Sequence, residues 1–156
     1  MALLRFLVKK YDHVSYERIL SGPGLLNLYA FLLESGYPEP PNMARYRHKQ
    51  GPSEAITTLG LGQTSPLCSE VLHLFASLLG AEAGNLALKA AAWGGVYIGG
   101  GIAPKIIRKL LDGTFMKAFI QKGRYAHLMK EIPVVVSMNP ETALMGAAQY
   151  ASLSSF

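Results

Sequence analysis

Residues 93–107 read WGGVYIGGGIAPKII, and the organisation of the chain turns on them. Val96, Tyr97 and Ile98 form a short apolar run between glycines, which predicts a buried strand. Gly99, Gly100 and Gly101 free the backbone at the carboxyl end of that strand. Pro104 then predicts the start of a helix, whose first turn needs no N–H from it. A second unit of the same kind follows. PVVVSM at 133–138 predicts a strand, and Asn139-Pro140-Glu141 predicts a cap into a final helix. Two strands, each followed by a helix, predict parallel pairing and an α/β fold. Two strands make a poor sheet, so the chain reads as most of one layer of a larger α/β domain, with an incomplete parallel sheet.

The remaining residues are patterned for helices. Residues 2–10 carry Leu3, Leu4, Leu7 and Val8 on one face. Ser15 predicts the cap of a short helix, with Glu17 in its first turn and its end at Gly22. Pro23 predicts the first position of the next helix; Leu25, Leu28, Tyr29 and Leu32 recur at helical spacing, and Gly36 ends the run. Residues 37–52, with four prolines and the densest positive charge, read as a surface loop. A short helix is expected at 53–59, and Ser65-Pro66 opens a long one reaching 92, with Leu67, Val71, Leu74 and Leu78 on one face. Gly80 and Gly84 lie inside it. In an exposed helix each would cost about 1 kcal/mol relative to alanine, so close packing against a neighbouring element is expected there. Further helical turns run through 114–130. Residues 1–156 read as a single domain without internal repeats.

Composition narrows the function classes. Half the residues are hydrophobic and only 16% are charged, which excludes an intrinsically disordered chain. The net charge of +5 is spread along the sequence, and its densest group, Arg45, Arg47, His48 and Lys49, reads as solvated rather than as a nucleic-acid patch. The one cysteine, Cys68, rules out an internal disulfide and reads as a buried thiol in an apolar helix. MALLRFLVKK has its charges after the apolar run, unlike a secretory leader. AAAWGGVYIGGGIAP, interrupted by five glycines, is too short to span a bilayer. A cytoplasmic protein without membrane or nucleic-acid partners is expected.

Three glycines between a strand and a helix leave two readings open. They bring backbone close to a ligand at the carboxyl end of a parallel strand, or they only make a tight turn. A dinucleotide fingerprint is excluded: Pro104 stands at its third glycine, and residues 117–124 contain no acid.

Strand, GGGIAP and helix together resemble the adenosine motif of the superfamily of sugar kinases, actin and chaperone ATPases, whose ATPase domain is ribonuclease H-like. HVSYERILSGPGLLNLY, GNLAL, WGGVYIGGGIAPKII, FIQKGRY, IPV and NPETALMGAA occur in the order of the C-terminal half of bacterial-type glucokinases, from about Leu3 to Ala151. The resemblance implies an ATP-dependent kinase acting, with Mg²⁺, on the 6-hydroxyl of glucose. It implies that Glu17 is a sugar-contacting carboxylate, and that Ser21 and Gly22 lie toward the nucleotide. Gly99, Gly100 and Gly101 would approach the adenosine. From its position alone, Glu17 reads as an ordinary acid at a helix start.

Other parts of the family pattern do not occur in this sequence: an Asp-Gly-Gly-Thr phosphate loop, an Asn-Asp pair with the catalytic base, a second phosphate loop and a Glu-Gly-Gly-His sugar motif. Asp12 stands where the family often has glycine. His13, His48, His73 and His127 form no recognisable constellation, and no catalytic or metal-ligating residue is assigned. The chain is therefore expected to be inactive alone, and to form a homo-oligomer or associate with the half that carries the missing motifs. The alternative is a non-catalytic interaction or dimerisation module of the same descent. A small nucleotide-binding oxidoreductase, lacking the ribose acid, is the weakest reading.

Overall fold

The computed structural model describes residues 2–153. In order they form α1 (Ala2–Tyr11), a 3₁₀ turn (Tyr16–Arg18), α2 (Gly22–Glu34), α3 (Met43–Gln50), α4 (Pro52–Leu61) and α5 (Pro66–Ala90). Then come β1 (Val96–Ile98), α6 (Ile102–Lys105), α7 (Ile107–Leu110), α8 (Thr114–Ile120) and a second 3₁₀ turn (Gly123–Tyr125). The chain continues through α9 (Ala126–Met129), β2 (Val134–Val136) and α10 (Thr142–Leu153). The architecture is helix-rich α/β, as expected.

β1 and β2 pair in parallel, with Val96 opposite Val134 and Ile98 opposite Val136. Among the described residues no further strand joins them. Side-chain alternation gives the pair two unlike faces. Val96, Ile98, Val134 and Val136 pack against the core, whereas Tyr97 and Val135 on the other face are 75% and 45% exposed.

The core is organised around α5, which packs against α2, α4 and α8. Leu67, Val71, Leu72 and Phe75 are buried along it. The two glycines inside α5 permit the approach of α8. A Cβ on Gly80 would collide with the carbonyl of Phe115, and one on Gly84 would lie 2.6 Å from the carbonyl oxygen of Phe119. By length and composition α5 could cross a membrane. Its burial against three helices of the same chain gives its apolarity another cause.

Several boundaries differ from the sequence expectation. Ser15 makes no side-chain cap, and residues 16–18 close a single 3₁₀ turn rather than a helix running to Gly22. Gly22 instead opens α2, with Ser21 as its N-cap and Pro23 behind it in the first turn. Residues 37–52 are not loop throughout, because Met43–Gln50 is helical. The prolines at 38, 40, 41 and 52 all lie outside that stretch, so nothing within it bars a helix. Met43 is buried while Arg45, Arg47, His48 and Lys49 stay exposed, which keeps the segment's basic side on the surface. α6 begins at Ile102, two residues ahead of Pro104. The proline remains in the first turn, where N–H groups lack intrahelical partners. Asn139 caps as expected, its Oδ1 accepting the Glu141 N–H at 2.9 Å.

Candidate functional site

The acidic turn is held from both sides. α1 ends at Tyr11, and Asp12 turns the chain with φ +57°, a left-handed conformation natural to glycine and tolerated by aspartate. The 3₁₀ turn then places Glu17 ahead of α2. Ser21 Oγ donates to the Glu17 backbone carbonyl at 2.6 Å and accepts the Gly24 N–H at 3.0 Å. One hydroxyl thus caps α2 and fastens the preceding turn. A Cβ on Gly24 would collide with the Ile19 carbonyl, so Gly24 is the glycine this junction requires; one on Gly22 would come only within 3.9 Å of Ser53 Oγ.

Glu17 is exposed and lines an open concavity of about 220 Å³ with Tyr11, Ser15, Arg18, Ser21 and Asn27. Among the described residues its carboxylate has no hydrogen-bond or ion-pair partner. The neighbouring cations are engaged elsewhere. The Arg18 guanidinium lies 4.2 Å from the Tyr11 ring centre, and Lys10 donates to Asn27 Oδ1 at 3.0 Å. The hydrogen bond with Lys10 holds the Tyr11 phenol below its ordinary pKa.

The glycine loop has a different character. Gly99, Gly100 and Gly101 are all exposed, and a Cβ on any of them would meet no atom within 4 Å. Only Gly100, at φ +96°, needs to be glycine for its conformation.

The start of α2 and the end of α6 both reach the first turn of α4. Ser53 Oγ donates to the Gly22 carbonyl at 3.0 Å, and Lys105 of α6 donates to Glu54 Oε1 at 2.7 Å. That hydrogen bond lowers the Glu54 pKa. Both side chains are about half exposed, so the pair contributes less than about 1 kcal/mol. Sequence reading missed Ser53, Glu54 and Lys105, whose partners are far away along the chain. It also missed Asn27, for which a signal existed: a lone amide on the apolar face between Leu25 and Leu28. No three His, Cys, Asp or Glu side chains gather as metal ligands among the described residues.

A family model described as Glucokinase matches residues 1–154. The chain belongs to the glucokinase family. The glucokinase of Nostoc punctiforme is 41% identical over 160 residues, an alignment covering 94% of this chain and 47% of that protein. The glucokinase of Photorhabdus laumondii is 36% identical over 149 residues, covering 96% of this chain and 44% of the relative. A crystal structure of a glucokinase from an Antarctic psychrotroph superposes with TM-score 0.77 at 32% identity, over 98% of this chain and 45% of that one. The chain thus spans about half the length of the glucokinases it matches, and corresponds to their C-terminal half. The resemblance read from SYERILSGPG and VYIGGGIAP is correct at the level of family and of half.

Proposed function

We propose that this chain forms part of an ATP-dependent glucokinase that phosphorylates the 6-hydroxyl of glucose. In this reading it supplies one sugar-contacting carboxylate, Glu17, and the adenosine-facing loop Gly99–Gly101. Glu17 carries the reading: an acceptor-only side chain on a pinned turn, lining an open polar concavity and left unpartnered by its neighbours. Two adjacent sugar hydroxyls can donate to its two oxygens, and such charge-assisted bonds are stronger than neutral ones. The open backbone of Gly99, Gly100 and Gly101 suits the close approach of an adenosine, and the Ser21–Gly22 junction turns the chain toward the nucleotide.

ATP, with its Mg²⁺, supplies the phosphoryl group. Phosphoryl transfer asks the protein for positioning, charge stabilisation and a base that takes the hydroxyl proton. This chain contributes positioning; the base belongs to the other half, and we infer that the chain alone is inactive. Mg²⁺ would enter with the nucleotide. The outer face of the strand pair and α10, where Leu144 and Leu153 are 69% and 73% exposed, form the surface through which the chain homo-oligomerises or meets its missing half. The working protein is cytoplasmic, with glucose and ATP as small-molecule partners.

The test is a hybrid enzyme, with this chain joined behind the N-terminal half of the Nostoc punctiforme glucokinase. A hydrogen bond to a charged group contributes about 1.5–3 kcal/mol, so Glu17→Ala should raise the glucose KM about ten- to a hundredfold while the ATP KM stays put. An unchanged glucose KM would remove Glu17 from the sugar site. A folded hybrid without turnover would favour the non-catalytic module of the same descent.

A further inference from the structure

Asn27 is 3% exposed, on the apolar side of α2. A buried amide is costly unless its hydrogen bonds are made. Here they are made with unusual economy of place. Nδ2 donates to the Arg18 backbone carbonyl at 2.8 Å. Oδ1 accepts from Lys10 Nζ at 3.0 Å and from the Tyr11 hydroxyl at 2.8 Å. Two donors facing Oδ1 fix the orientation of the amide, so its N–H must face Arg18. With Ser21 holding the Glu17 carbonyl, α2 grips two consecutive carbonyls of the acidic turn. Asn27 also binds the end of α1 to the same point, joining three segments around the concavity that Glu17 lines.

We infer that Asn27 is a positioning residue for the sugar site, setting the height and direction of Glu17 through the Arg18 carbonyl. This rests on the reading of Glu17 as the sugar-contacting carboxylate. Its amide is spent on Arg18, Lys10 and Tyr11, so its effect passes through the turn. A misplacement of about 1 Å from a change away from the chemistry can cost about a hundredfold in rate, so a loosened turn should register in sugar use.

Asn27→Asp is the sharpest probe. It keeps an oxygen for Lys10 and Tyr11 but sets an acceptor against the Arg18 carbonyl, where a donor stood 2.8 Å away. In the hybrid enzyme the glucose KM should rise about tenfold with the ATP KM within about twofold of the parent. Tyr11→Phe, a milder change that keeps the ring, removes one of the two donors and should raise the glucose KM about threefold, again sparing ATP. If both KM values rise together as the melting temperature falls, or if the glucose KM does not move, Asn27 is a structural amide and the inference fails. Should Asn27→Asp not fold, Tyr11→Phe decides by the same split. Glu17→Gln in the same hybrid separates the two failures. If it leaves the glucose KM unchanged, the reading of Glu17 fails and the inference with it. If it raises the glucose KM while the Asn27 and Tyr11 variants do not, only the positioning role is lost.

Discussion

Gly101→Ala tests the adenosine reading of the glycine loop without disturbing the fold. Gly101 sits at φ −80° and ψ −12°, a conformation any residue adopts, and a Cβ there meets nothing within 4 Å. Within the chain the added methyl therefore costs nothing sterically. By narrowing the unfolded ensemble it should stabilise by about 0.4–1 kcal/mol, a rise of about 1–3 °C in melting temperature. A ligand lying against that backbone changes the outcome. Forcing a methyl into a close-packed contact costs about 1–3 kcal/mol, so the ATP KM of the hybrid enzyme should rise about five- to a hundredfold. The glucose KM should not follow. Gly99→Ala should behave alike, since its Cβ also meets open space. Gly100→Val should damage nucleotide binding too, but less cleanly, because at φ +96° a β-branched residue adds backbone strain of its own. Calorimetric melting and steady-state kinetics on the same preparations decide the matter. A stabilised Gly101→Ala enzyme with an unchanged ATP KM would show that nothing approaches the loop, and the adenosine reading would fall.

The glycines of α5 and α10 should respond in opposite directions to the same substitution. Gly80→Ala drives a methyl into the Phe115 carbonyl and should cost about 1–3 kcal/mol, whereas Gly146→Ala on exposed α10 should gain up to about 1 kcal/mol; denaturant titration showing the same sign for both would refute the account of the α5–α8 contact. Asp112 provides a pH-dependent case. Burial pushes its carboxyl up, but hydrogen bonds from Lys109 and the Thr114 N–H outweigh that and hold it at about 2, below its ordinary value of 3.8. Its contribution is therefore present above about pH 4 and is lost as pH falls toward 2; with a side chain 38% exposed it amounts to about 1 kcal/mol after screening. Asp112→Ala should melt lower than the parent at pH 6, and a gap of equal size at pH 2.5 would overturn the assignment.

The features legible in the sequence were local ones. VYI between glycines, PVVVSM and the Asn-Pro-Glu cap each depend on neighbours along the chain, and both strands and the final cap are where those signals put them. Gly80 and Gly84 were legible as a packing requirement because their helix cost demanded a compensating contact. The 43–50 helix was hidden by the prolines around it, since composition averages over a segment whose breakers lie at its ends. Ser21 shows a second kind of difficulty. A serine before glycine and proline reads the same whether its hydroxyl meets a ligand or caps a helix, and only the structure reveals that both of its hydrogen bonds stay inside the chain. Glu17 was distinguishable from an ordinary helix-start acid only by family resemblance. The partners of Asn27, Ser53 and Glu54 are set by tertiary packing, on which sequence spacing is silent.

Magnitudes decide what holds the starts of α2 and α4 and the end of α6 together. The Ser53 bond to Gly22 is a single hydrogen bond, and Lys105–Glu54 is a half-exposed pair. Together they amount to about 1–2 kcal/mol. By contrast, burying one leucine or phenylalanine contributes about 1.5–3 kcal/mol, and the core holds Leu25, Leu28, Ile56, Leu67, Leu72 and Phe75. The positions of α2 and α4 are thus set by their shared packing on α5, while the polar ties select the orientation of their first turns within it. On that division of labour, truncation at the core should unfold the whole arrangement. Truncation at Ser53 or Glu54 should leave it folded and loosen only the contacts of α4 with Gly22 and Lys105.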